Sequence, residues 1–196
     1  MKPTNKFLGT CGMMAAPFLT FALISGQVAN AANTSIGGFF GLVYMLGWQC
    51  CIVGLINVQA AGPRKKDNLL FYIQLLLLTI ANIGNVWVMI DPCADSPYFM
   101  LLDNFWPLSN LFMLVIGIVV ARKAVLKGWR RYVALGVGLW LPFAMATSLL
   151  LGRESHFAFY PGALYSFIAW TALGWMVYES EGTDTATPTQ PFNYLF

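Results

Sequence analysis

Residues 103–132 read DNFWPLSNLFMLVIGIVVARKAVLKGWRRY: a polar, aromatic lip, an uncharged apolar run, then five positive charges at Arg122, Lys123, Lys127, Arg130 and Arg131. An uncharged run of this kind is the mark of a helix in hydrocarbon. A basic cluster beyond one end gives the helix its direction, because Lys and Arg accumulate on the cytoplasmic side of a membrane. The rest of the chain is oriented from this helix.

Composition agrees with that reading. The 196 residues are 58% hydrophobic and 10% charged, whereas about a quarter of the residues of a soluble domain carry charge. The net charge of +3 is a topology signal and does not call for a nucleic-acid partner. Apart from Arg153, every Lys and Arg lies at the N-terminus (Lys2, Lys6) or in one of two loops (Arg64 to Lys66, Arg122 to Arg131).

Six uncharged segments are expected to cross the membrane: Phe7–Ala29, Gly37–Val58, Leu69–Ile90, Phe105–Ala121, Val133–Leu151 and Tyr160–Tyr178. Short connections make sequential helices antiparallel neighbours. The expected fold is therefore an all-α, polytopic six-helix bundle over residues 1–178, set in the plasma (cell inner) membrane. Alternation of the basic loops puts both termini in the cytoplasm. Residues 179–196, rich in Thr and Pro, are expected to form a flexible cytoplasmic tail. The first segment has the parts of a signal peptide, with small residues at Ala29 and Ala31. Its apolar run exceeds the usual h-region of about 7–15 residues, so a retained helix is expected.

Gly37 and Gly41, followed by Gly47 and Gly54, give the second segment a small-residue side on which another helix can approach closely. That side is also the surface through which a partner subunit or a second copy would pack. Pro142 lacks the donor a helix interior requires, which predicts a kink near Trp140.

Uncharged polar residues in the spans are the informative ones, since each must find a partner away from water. Asn82 and Asn85 share a helix face, three residues apart. Asn85 and Asn110 sit at matching depth, roughly 9 Å below the outer surface at 1.5 Å per residue. They are expected either to clamp two helices, at about 0.6 kcal/mol for a bond of this kind, or, with Ser109, to floor a cavity open to the outside. In DNFWPLSN each residue also has a local role. Asp103 or Asn104 can cap the helix, Pro107 suits its first turn, and Trp106 suits the headgroup level.

Trp87, Trp106, Trp129 and Trp175 fall near span ends, as an aromatic belt requires, whereas Trp48, Trp140 and Trp170 fall near the midplane. A buried indole N–H wants an acceptor, for which Gln49, Tyr44 and Tyr165 stand at helical offsets. With the Pro142 kink, the three central tryptophans can line core or a pocket for a flat or apolar ligand.

Absences restrict the chemistry. The single histidine, His156, cannot supply bis-His haem ligation or a three-His zinc site, and no span holds a lysine for a Schiff base or a carboxylate for ion coupling. The four cysteines show no CxxC spacing and are expected to be free thiols. No metal or cofactor is expected. The remaining polar cluster is Asp91, Asp103, Glu154 and His156 on the outer loops. Nothing compels a catalytic role. The leading expectation is a non-enzymatic binding or accessory protein with a pocket for a small or lipidic ligand and membrane lipids as partners. A facilitator with a polar path through Gln49, Asn82, Asn85 and Asn110, and an enzyme acting on lipid headgroups at the outer loops, are the alternatives.

Overall fold

The computed structural model describes residues 3–29, 34–92, 96–152 and 159–180. Every regular element among them is a helix: α1 (Asn5–Ala29), α2 (Ser35–Asn57), α3 (Leu69–Ile90), α4 (Pro97–Asp103), α5 (Phe105–Lys123), α6 (Arg130–Gly138), α7 (Trp140–Leu151) and α8 (Phe159–Glu179), with a short 3-10 turn before α3. Four helical stretches are long and apolar enough to cross a membrane, with α4 and α5 counted together. They become five if α6 and α7 form one bent span. The sixth expected span, α8, is long enough but falls short in apolarity. Its tyrosines and tryptophans, with Pro161, Ser166 and Thr171, lower its mean hydropathy.

The helices pack in chain order, α1 on α2, α2 on α3, α3 on α5 and α5 on α6, and α8 then closes the ring by packing on α7, α6 and α1. Neighbours run antiparallel. Along α2 and α3, Gly38 faces Val88 while Gln49 Nε2 donates to Thr79 Oγ1 at 2.9 Å. Along α1 and α8, Thr20 Oγ1 donates to Ala163 O at 3.4 Å, while Asn5 Nδ2 donates to Ser180 Oγ at 3.3 Å. This order gathers Lys6, Arg64 to Lys66 and Arg122 to Arg131 at one end of the bundle.

That basic end is laced by polar contacts that hydropathy does not reveal. Asn57 Nδ2 donates to Asn5 Oδ1 at 3.1 Å, completing a chain from α2 through α1 to Ser180. Arg130 Nη2 meets Glu179 Oε2 at 2.9 Å. Glu179 and Ser180, assigned from the sequence to a tail, therefore belong to the end of the bundle. Residues 181–196 lie outside the described residues, as do Cys93, Glu154 and His156.

The expected kink is present. Pro142 has no N–H to give the carbonyl of Gly138, the helix stops there, and α7 leaves α6 at 47°. Before the bend α6 lies hard against α5, since a Cβ at Gly117 would stand 2.6 Å from Leu135 N and one at Gly138 2.8 Å from Met113 C. Beyond it, α7 packs mainly on α8. The two halves of one span thus serve different neighbours.

Two local expectations change. Ser96 accepts from Tyr98 N and Pro97 follows it, so a separate short helix, α4, precedes α5. Asn104 ends α4, its Nδ2 donating to Met100 O at 2.7 Å, and makes no side-chain cap on α5. Trp106 is turned into the bundle against Trp140.

Candidate functional site

At the end opposite the basic loops, α1, α2, α3, α4 and the start of α5 enclose a cavity of about 230 Å³. Glycines on α2 make room for it. A Cβ at Gly41 would stand 2.6 Å from Asn85 Oδ1, and one at Gly38 2.8 Å from Asn85 O, so this part of α2 is taken up by α3 of the same chain, while Gly47 faces α1 and Gly54 faces α8. Gly37 lies against Thr34 and Ser25 at the junction of α1 and α2. Around the void stand Tyr44, Met45, Asn85, Phe99, Asp103 and Trp106. Asp103 is exposed and marks the mouth.

Beneath the cavity runs an unbroken aromatic string. Tyr44 and Trp48 on α2 meet Trp170 of α8 at ring-centroid distances of 5.3 and 5.1 Å, Trp170 meets Trp140 of α7 at 6.1 Å, and Trp140 meets Trp106 of α5 at 5.4 Å. The Trp48–Trp170 and Trp140–Trp170 pairs are edge-on and the other two tilted, and aromatic pairs add about 0.5–1.5 kcal/mol each beyond their buried area. The three central tryptophans are therefore brought together, joined to the cavity at both ends by Tyr44 and Trp106.

The polar atoms of this string are unevenly satisfied. Trp140 Nε1 donates to Gly162 O at 2.8 Å, and Tyr165 Oη, which the sequence offered as a partner for an indole, donates instead to Gly136 O at 2.7 Å. Gln49 is engaged by Thr79 and does not serve Trp48. The Tyr44 hydroxyl and the indole N–H groups of Trp48, Trp106 and Trp170 are buried with no hydrogen-bond partner among the described residues. Each such group costs about 1–3 kcal/mol. Tyr44→Phe is accordingly expected to leave the melting temperature of ligand-free protein in detergent unchanged or to raise it. A clear fall would show that the hydroxyl is already bonded.

The amides divide between two helices. Asn85 Nδ2 donates to Asn82 Oδ1 at 3.2 Å and approaches Met45 Sδ at 3.4 Å, so both α3 amides are tied beside the cavity wall. On α5, Ser109 Oγ donates to Phe105 O at 2.6 Å and Asn110 Nδ2 to Trp106 O at 3.0 Å. Asn110 thus bonds within its own helix and makes no clamp to Asn85, leaving its Oδ1 buried and unpartnered. Gln74 on α3, which the sequence reading passed over, is fully buried with both amide atoms unpartnered.

Of the outer polar set, Asp103 reaches the cavity and Asp91 is exposed beyond the end of α3. No cluster of metal-ligating side chains forms among the described residues. Cys11, Cys50 and Cys51 are free thiols. Comparison of the chain with protein-family models, with characterised proteins and with solved structures found no match.

Proposed function

We propose that the chain is a six-span integral membrane protein, with α8 as the sixth crossing and both termini cytoplasmic, that binds a small or lipidic ligand in the cavity beside Tyr44 and Trp106. Its role is that of a non-enzymatic binding or accessory component of the plasma membrane. The basic loops at one end of the bundle support the orientation. For α8, packing against α1, α6 and α7 supports a transmembrane position despite its lower hydropathy, because protein covers one face.

The observation that carries the ligand reading is a cavity lined by two residues, Tyr44 and Trp106, whose hydroxyl and indole N–H are buried without a partner among the described residues, so that a rotation of either side chain would turn a free donor toward a ligand. A polar group left bare in a bundle interior is expensive, and a ligand oxygen is the least costly remedy. Gln49 is engaged at the α2 and α3 contact and Asn110 is folded back on its own helix, an arrangement that favours a closed site over a continuous polar path.

Native mass spectrometry of protein extracted directly into lipid nanodiscs tests this. A non-covalent small-molecule mass is expected on the wild type and is expected to vanish in Gly84→Leu. Gly84 lines the cavity, and its added Cβ meets Leu102 at an ordinary 3.4 Å, so the rest of the side chain fills the void. Wild-type protein extracted without any such mass overturns the reading.

A further inference from the structure

Trp106 belongs to two spaces at once. It lines the cavity, and it also lines a groove of about 400 Å³ between α5 and α7, whose other walls are Trp140, Leu141, Ala144, Met145, Ser148 and Leu149. The groove follows from the Pro142 bend, because α7 swings from α5 toward α8 just where the close α5 and α6 packing ends. Met145 and Leu149 are exposed on the membrane-facing side of α7. One indole thus separates a cavity that holds Thr34, Asn85 and Asp103 in its wall from a more apolar groove open to lipid.

We propose that the ligand is a neutral amphiphile of the quinone type, its flat carbonyl-bearing head in the cavity and its single apolar chain in the α5 and α7 groove, passing Trp106. The proposal rests on the cavity being a ligand site. Three features select this chemistry. Two lining residues, Tyr44 and Trp106, carry a buried hydroxyl and a buried indole N–H with no partner among the described residues, and a head that draws either donor into the cavity must bring acceptor oxygens. Phe99 and Trp106 offer rings to a flat head. The carboxyl of Asp103 at the mouth repels an anionic phosphate headgroup and tolerates a neutral one.

The groove suits a hydrocarbon chain. Its one hydroxyl, on Ser148, already donates to Ala144 O at 2.9 Å, and the Trp140 indole N–H to Gly162 O at 2.8 Å. A chain lying there buries apolar surface against Leu141, Ala144 and Leu149 and ties the head to a lateral route from the bilayer. Binding alone is proposed, with no electron transfer.

The experiment uses the full chain in phosphatidylcholine nanodiscs and reads quenching of tryptophan fluorescence by a benzoquinone carrying one decyl chain. Affinities are expressed per ligand already in the bilayer, so that partitioning does not supply the effect. Saturable one-to-one quenching is expected, at least about tenfold tighter than for the same ring without the chain. Ser148→Phe, which fills the groove, is expected to erase the advantage of the chain while the chainless ring still binds. Trp106→Phe keeps a ring and removes the N–H, and is expected to weaken both compounds about tenfold. Helical circular dichroism and the melting temperature verify that each variant is folded.

Equal affinity of the two compounds, or a chain advantage that survives Ser148→Phe, overturns the inference. So does native mass spectrometry showing a diacyl phospholipid as the retained species. A retained molecule that carries no chain sinks this inference alone, whereas the absence of any retained molecule sinks the cavity reading beneath it.

Discussion

Gly174→Leu is expected to pry α8 from α1 and to produce the largest stability loss of any single substitution in the bundle. The two helices cross backbone on backbone. A Cβ at Gly174 would stand 2.6 Å from Met13 N and 2.8 Å from Gly9 O, and one at Gly9 would stand 2.5 Å from Gly174 O. Flexible side chains can step aside for an added atom, but here main chain must move. Overpacking costs about 1–3 kcal/mol where side chains absorb it and more where they cannot. In lipid the penalty is felt fully, since helix association there depends on close packing and not on expulsion of water. The measurement is thermal unfolding in detergent, with Gly136→Ala as control. Nothing lies within 4 Å of a Cβ at Gly136, and the change is expected to be neutral or to gain up to about 1 kcal/mol of helix propensity. Parallel melting of Gly174→Leu and wild type would refute the crossing.

Trp170→Ala is expected to cost about 3–5 kcal/mol, as for other large buried aromatics cut back to alanine. Trp170 is 2% exposed and is the hub of the aromatic string, touching Tyr44, Trp48 and Trp140 from three sides. Removing the indole deprives all three neighbours of their dispersion partners, and α8 cannot close inward because Gly174 already rests on α1. Trp170→Phe separates packing from polarity. It preserves most of the ring contact and discards an N–H with no acceptor, so its expected cost is below about 1.5 kcal/mol, as for other apolar exchanges of similar size. If alanine and phenylalanine cost the same, the string does not hold the bundle together.

How much of this could be read from sequence follows from what each signal measures. Exclusion of charge from hydrocarbon acts on every residue of a span, so the segments at Leu69–Ile90 and Phe105–Ala121 correspond closely to α3 and α5. Pro142 placed its bend for an equally local reason, a missing donor. The number of crossings was less legible. Hydropathy counts the tyrosines and tryptophans of α8 as polar, although the bundle buries much of that helix.

Contacts between helices were harder still. Gly37, Gly41, Gly47 and Gly54 were noticed because their spacing is regular, while Gly9, Gly117, Gly138 and Gly174, which make close crossings, carry no local mark of a partner. Polarity and depth single out Asn85, which lies beside the cavity, together with Asn82, Ser109 and Asn110, which do not line it, whereas Asp103 stands out in the sequence only as a helix-capping residue and an outer-loop carboxylate. The inward turn of Trp106 was not legible, because a tryptophan at a span end fits the interface equally well and only the α4 helix before it and Trp140 across from it turn it inward. Asn5, Asn57 and Gln74 escaped notice for the same reason: an amide near the end of a segment looks wet until its neighbours are known.

The contact of α8 with α1 also bears on how the protein is made. Synthesis delivers α1 before α8, so the flank of α1 at Gly9 stays bare, and the Asn5 amide N–H lacks its Ser180 partner, until α8 has been made. A stalled or shortened product would therefore present adhesive small-residue surface and an unmet amide to the lipid, features that membrane quality-control proteases are suited to detect. Docking of α8 on α1 is then the step that turns a degradable intermediate into a durable protein.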